Sequence, residues 1–117
     1  YMSCIRNSNI IDLVLWLLGK RQRFRVEGLS MLPCLNPGDE LLICKQTSNF
    51  LAPSITDIVV VSHPHCADLL LIKRVISINK DGSCFVRGDN LLHSTDSRSF
   101  GWIEPELILG YVTSRFL

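Results

Sequence analysis

The sequence predicts a mostly β fold, a single compact barrel or sandwich domain with a short N-terminal helix. Three observations predict it. The 117 residues suffice for one domain with its own core. Beyond residue 22 the apolar residues fall in short alternating or β-branched runs. Clusters of Gly, Pro, Asn and Asp separate those runs at short intervals.

The elements follow in order. Ile10-Ile11-Asp12-Leu13-Val14-Leu15-Trp16-Leu17-Leu18 reads as a helix, within an N-terminal helical segment over residues 1–22. Its nine residues fall well short of the roughly 20 needed to span a bilayer. Lys20, Arg21, Arg23 and Arg25 follow it. The apolar helix over residues 9–18 therefore either packs on the domain or on another copy, or rests at a membrane interface. No basic start, long apolar run and small-residue cleavage site occurs, so a cytoplasmic location is expected, with peripheral membrane contact as its only variant.

The domain occupies residues 23–117. Phe24–Glu27 alternates and stops at Gly28, and Glu40–Cys44 follows the turn Asn36-Pro37-Gly38-Asp39. Asp57–Val61 is β-branched and ends at Ser62-His63-Pro64. Leu69–Ile78 is a longer strand, turning through Asn79-Lys80-Asp81-Gly82 into Cys84–Arg87. Gly88–Gly101 is a polar loop, and Leu107–Val112 the last strand.

Composition excludes some functions. Twelve basic residues against eleven acidic ones, without blocks of like charge, give no nucleic-acid footprint. Five cysteines without a CxxC argue for reduced thiols in a cytosolic-type compartment, not a disulfide framework or zinc ribbon. His63-Pro64-His65-Cys66 offers metal-ligating groups. The intervening proline makes joint ligation awkward, so the stretch reads as a surface loop, with no metal and no cofactor assigned.

The stretch Gly28-Leu29-Ser30-Met31-Leu32-Pro33 has neither helical nor strand periodicity. Serine needs a neighbouring base to act as a nucleophile. None of His63, His65 and His93 has an obvious orienting carboxylate in sequence. Lys73 lies in the most apolar stretch, and alternation sets it on a face with Leu71 and Val75. Burial there would lower its pKa and let the neutral amine accept the serine proton. A turn serine and a snorkelling lysine are the bland alternatives. Downstream, Asp96 and Arg98 can pair, and Ser94 can orient another polar group.

Three blocks together resemble the S26 family of serine peptidases, the signal peptidase I type. They are Val26–Asp39 around Ser30, Lys73-Arg74-Val75, and Gly88-Asp89-Asn90 with Ser94, Asp96, Ser97, Arg98 and Gly101. The resemblance runs from about Phe24 to Tyr111. It implies a signal-peptidase-like catalytic domain with Ser30 as nucleophile and Lys73 as general base. Ser94 would orient the lysine amine. Asp96 and Arg98 would form a structural ion pair, Asp89 and Asn90 would fix their loop, and Met31 would pack beside the nucleophile. The Ser30 N–H would hold the oxyanion. Gly28 stands where some members carry a serine hydroxyl, leaving the second donor open.

The expected substrate is an N-terminal extension of a precursor protein. The short Val75-to-Gly88 connection is similar to compact nickel-type superoxide dismutase maturation proteases, which would make that precursor's propeptide the target. Signal-peptide cleavage by a bacterial or mitochondrial inner-membrane type peptidase is the alternative. A non-catalytic β-barrel binding module on the same scaffold is the reading from another class. The substrate is expected to lie along Phe24–Gly28 or Leu69–Ile72, with shallow pockets near Met31 and Leu32.

Overall fold

Ile58-Val59-Val60-Val61 carries branched apolar side chains at every position, which suits a strand covered on both faces. In the computed structural model, which describes residues 4–45 and 53–116, this run is the buried middle of a single six-stranded sheet. The strands are β1 (Gln22–Arg25), β2 (Glu40–Lys45), β3 (Ile58–His63), β4 (Cys66–Ile78), β5 (Cys84–Arg87) and β6 (Ile108–Arg115). Their order is β1-β2-β6-β3-β4-β5, and every neighbouring pair is antiparallel. The mostly β expectation holds. The described strands form an open sheet, and closed-barrel wording does not describe it.

Alternation along β3 sends side chains to two cores. Ile58 and Val60 join Val26, Met31, Leu35, Leu41, Ile43, Ile72 and Val112. Val59 and Val61 join Val75, Cys84, Val86, Ile103 and Ile108. Met31 is thus core packing directly beside Ser30. Burying an aliphatic side chain of this kind stabilises the fold by roughly 1.5–3 kcal/mol.

Strand bounds differ from expectation where a turn is tighter or a partner reaches further. β4 starts at Cys66, because His63 pairs with Cys66 across a two-residue turn. β6 runs on to Arg115 because Leu41 and Leu42 of β2 pair with Arg115 and Ser114. The loop after Gly88 contains a 3-10 turn at Leu91–His93 and a short helix, Ser97–Phe100, capped by Asp96.

Helix α1 (Ile10–Leu17) begins with a capping box. Asn9 Oδ1 accepts from the Asp12 N–H at 3.0 Å, and Asp12 Oδ2 accepts from the Asn9 N–H at 2.8 Å. Asp12 is buried and bonded to the Arg6 guanidinium, and Trp16 packs edge-on against Phe116. Among the described residues no helix is long and apolar enough to cross a membrane.

The reduced-thiol expectation is corrected: Cys4 and Cys34 form a disulfide. Spacing could not reveal it, because the end of β6 brings the two together. The Arg115 N–H donates to Arg6 O and its guanidinium donates to Cys34 O at 2.7 Å. Cys44, Cys66 and Cys84 are free thiols.

Candidate active site

Positions 73 and 74 put two cations side by side in one buried strand. Alternation sends them to opposite faces, and neither reaches bulk water. Lys73 is 3% exposed and Arg74 2%. Burying a charge is costly unless it is paired or neutralised. Arg74 is paired: Nε and Nη2 each donate to Asp89 at 2.8 Å, and Nη1 donates to Thr56 O. Lys73 makes no ion pair among the described residues, although Asp96 lies near enough to act on it through space. Its Nζ donates to Ser94 Oγ at 3.0 Å. Burial pushes its pKa below the ordinary value; Asp96 opposes that shift and Arg98 adds to it.

Behind Ser94 stands Asp96, fully buried. Its Oδ2 accepts from Ser94 Oγ at 2.8 Å and from the Gly88 N–H at 3.0 Å, while Oδ1 accepts from Arg98 Nε at 2.9 Å. Burial alone would raise the Asp96 pKa. The bonds from Arg98, Gly88 and Ser94 outweigh it and hold the carboxyl at about 2. Asp96 is therefore ionised at neutral pH and fixes the Ser94 hydroxyl as donor to itself and acceptor toward Lys73. The Asp96–Arg98 ion pair stands as expected. Ser97 Oγ accepts from the Val86 N–H, tying the same loop to β5.

Ser30 sits on the turn that follows Gly28, whose φ of +76° favours glycine. Added side-chain atoms there would meet open space. The Asn90 N–H donates to Ser30 O at 2.8 Å and Asn90 Nδ2 donates to Leu29 O at 3.0 Å. The Gly88–Asn90 block thus clasps the serine turn through Asn90 and the lysine strand through Asp89.

Ser30 and Lys73 line one small cavity of about 80 Å³ with Phe24, Arg25, Glu27 and Leu70–Ile72. Its apolar wall comes from Phe24 and Leu70–Ile72, not from Met31 and Leu32 as the sequence suggested, because Met31 turns into the core. β1 is an outer strand of the sheet, and β5 pairs with β4 only from Arg74 onward. The cavity therefore lies beside strand edges that can accept a further strand.

Two residues escaped the sequence reading. Arg74 is one: an arginine next to a buried lysine must face the other way and needs a carboxylate, which Asp89 supplies. Gly88 is the other: a Cβ there would come within 2.6 Å of Ser30 O and Ser94 Cβ. His63 and His65 lie at the β3–β4 turn, outside this cluster, and His93 ends the 3-10 turn just before Ser94. His63 Nδ1 accepts from the His65 N–H and its ring packs edge-on against Phe100.

The chain was compared with known proteins. The profile of the family described as signal peptidase, peptidase S26, matches residues 9–81 and 78–117. The chain is 33% identical over 110 residues to mitochondrial ATP-independent inner membrane protease subunit 1b of Arabidopsis thaliana, covering 75% of this chain and 65% of that protein. It is 30% identical over 107 residues to mitochondrial inner membrane protease subunit 1 of Schizosaccharomyces pombe, covering 75% and 68%. Probable signal peptidase I-1 of Synechocystis is 27% identical over 130 residues, covering 74% and 66%. The chain thus spans about two thirds of the length of these relatives, and slightly less for the first. With residues 9–117 matched to that profile, the chain belongs to the signal peptidase family, peptidase S26.

Proposed function

We propose that this chain is a serine endopeptidase with a Ser30–Lys73 dyad that removes an N-terminal targeting segment from precursor proteins. One observation carries the reading. A lysine buried without an ion pair among the described residues, its amine held by Ser94, faces the same small cavity as a serine on an irregular turn.

The chemistry follows from these atoms. Neutral Lys73 accepts the Ser30 hydroxyl proton as Ser30 Oγ attacks the scissile carbonyl. Ser94 occupies one position on the amine, and the nitrogen lone pair is left for the serine. The oxyanion is held by the Ser30 N–H, on a turn fixed by the Asn90 bonds. Lysine then returns the proton to the leaving amine and activates the water that hydrolyses the acyl-enzyme. No metal or cofactor enters these steps.

The substrate lies extended between β1 and the open part of β4. The small cavity against Phe24 and Leu70–Ile72 admits a short side chain next to the cleaved bond. Two precursor classes were raised by the sequence. The relatives are named as inner membrane protease subunits and signal peptidase I, which supports membrane-targeting segments; nothing among them supports the nickel superoxide dismutase propeptide. The Cys4–Cys34 disulfide favours an oxidising compartment over the cytoplasm.

The test incubates the protein with a signal-bearing preprotein and with a nickel superoxide dismutase precursor, then sequences the new N-termini. Cleavage of the preprotein that vanishes in folded Ser30→Ala and Lys73→Ala variants is expected. Undiminished cleavage by either variant overturns the dyad, and cleavage of the dismutase precursor alone overturns the substrate class.

A further inference from the structure

The serine turn carries exposed leucines of its own. Leu29, directly before Ser30, is 48% exposed, and Leu91 and Leu92, directly after Asn90, are 47% and 91% exposed. None of the three lines the cavity that Ser30 shares with Lys73. From Gly88 to Ser99 every other residue is polar or glycine. Two leucines exposed there serve neither the core nor the turn.

Their backbone is fixed. Asn90 Nδ2 donates to Leu29 O at 3.0 Å, and Arg98 Nη2 donates to Leu91 O at 2.8 Å. The His93 N–H closes the 3-10 turn on Asn90 O at 3.0 Å. The Asn90 N–H, bonded to Ser30 O, ties that turn to the nucleophile. Side chains on a backbone held this way present a pre-organised surface, which lowers the entropic cost of binding to it.

A substrate cut at Ser30 has two sides. The residues before the cut take the cavity and the strand edges beside it. The residues after the cut leave from the same carbonyl, and an extended chain advances about 3.3 Å per residue. Its first three residues therefore stay within roughly 10 Å of Ser30. Leu29 and the Leu91–Leu92 pair border that path, since the first adjoins Ser30 in the chain and the second adjoins the residue that clasps it.

We propose that Leu29, Leu91 and Leu92 form a subsite for an apolar side chain among the first three residues after the cut, so that the enzyme favours precursors whose released chain starts with one. This subsite rests on the dyad reading above. A permanent partner or a second copy is disfavoured as occupant, because whatever covers these leucines also crowds Ser30.

The test uses the full chain and peptides that share one signal segment. Leu stands in turn at the first, second or third position after the cut, with Ser at the other two, and an all-Ser peptide is the reference. Leu at one of these positions should raise kcat/KM about tenfold. Leu91→Ser/Leu92→Ser should bring that ratio close to one with little change in Tm, since both side chains are exposed. Leu92→Ser alone should lower it to about threefold. A ratio near one at every position, with cleavage still abolished by Ser30→Ala, overturns the subsite and leaves the dyad standing. So does a preference that survives Leu91→Ser/Leu92→Ser, or light scattering that shows a dimer dispersed by that variant. Cleavage of no peptide, or cleavage that survives Ser30→Ala, overturns the dyad and the subsite with it.

Discussion

Gly88→Ala adds one methyl group and changes no ionisable or hydrogen-bonding side chain. The added carbon would lie 2.6 Å from Ser30 O and from Ser94 Cβ, and closer still to Ser94 Oγ. Ordinary contact begins near 3.4 Å, so the serine turn and the Ser94 loop must part by roughly 0.8 Å. Both sides resist. Ser30 O holds the Asn90 N–H, and Ser94 is held by Asp96. Overpacking of this kind destabilises by about 1–3 kcal/mol, or roughly 4–12 °C in Tm for a domain this size. The larger effect falls on rate, because a displacement near 1 Å in a reacting pair costs about a hundredfold. The assay is kcat/KM on a fluorogenic signal-segment peptide, with Tm measured in parallel. Gly82→Ala is the control, since it lies in the β4–β5 turn with φ +89° and meets only Pro105, at 3.1 Å. It should lower Tm by a few degrees and leave kcat/KM unchanged. A folded Gly88→Ala enzyme with wild-type kcat/KM would refute the claim that this contact sets the spacing of Ser30 and Ser94.

Other outcomes follow from the same geometry. The rate should rise with pH to a plateau as Lys73 loses its proton, with a midpoint below the ordinary lysine value of 10.5; a flat profile from about pH 5 to 9 would remove lysine as the base. Ser94→Ala should lower kcat about tenfold with little change in KM, since one hydrogen bond to the amine is lost; steady-state kinetics read both. Asp96 has a folded pKa of about 2 against an ordinary 3.8, so its contribution of roughly 2 kcal/mol is complete above the higher value. That stability is lost as pH falls through the folded value, and Asp96→Asn should flatten urea-denaturation stability between about pH 4 and 2. Cys34→Ser should cost about 3 kcal/mol, because the disulfide closes a 30-residue separation; equal Tm under oxidising and reducing conditions would show the bond to be absent.

Much of the fold was legible because β-branched alternation and turn residues act locally. Ile58–Val61 and Cys84–Arg87 could be read from their own side chains. Ser30, Lys73, Ser94 and Asp96 were legible as residue types in order along the chain, and the lysine's apolar neighbours already suggested burial. What could not be read depends on the third dimension. Cys4 finds Cys34 only because Arg115 gathers both segments at the end of β6. Gly88 looks like a turn glycine until Ser30 O is seen against it. The start of β4 at Cys66 depends on β3 lying alongside, which converts His63–Cys66 from a loop into a hairpin end. The outward face of α1 has the same origin: hydropathy marks Ile10, Ile11, Val14, Leu17 and Leu18 as core, whereas in the fold they are exposed and Asp12 and Trp16 face in.

Lys73 and Arg74 are neighbours in sequence, yet the fold makes them opposites. One enters the interior with its pKa pushed down by burial, the other by taking a permanent counterion. Exchanging the two, as the double substitution Lys73→Arg with Arg74→Lys, would preserve mass, formal charge, hydropathy and strand propensity. It would also put a cation that cannot release its proton beside Ser30, and a single-headed ammonium where Asp89 and Thr56 expect a planar fork. A search for variants guided by composition or charge would score that exchange as silent. The dipeptide's order, by contrast, is information that only a strand with two dry faces can enforce, so any redesign of this sheet must preserve which face each cation meets before it considers how many cations there are.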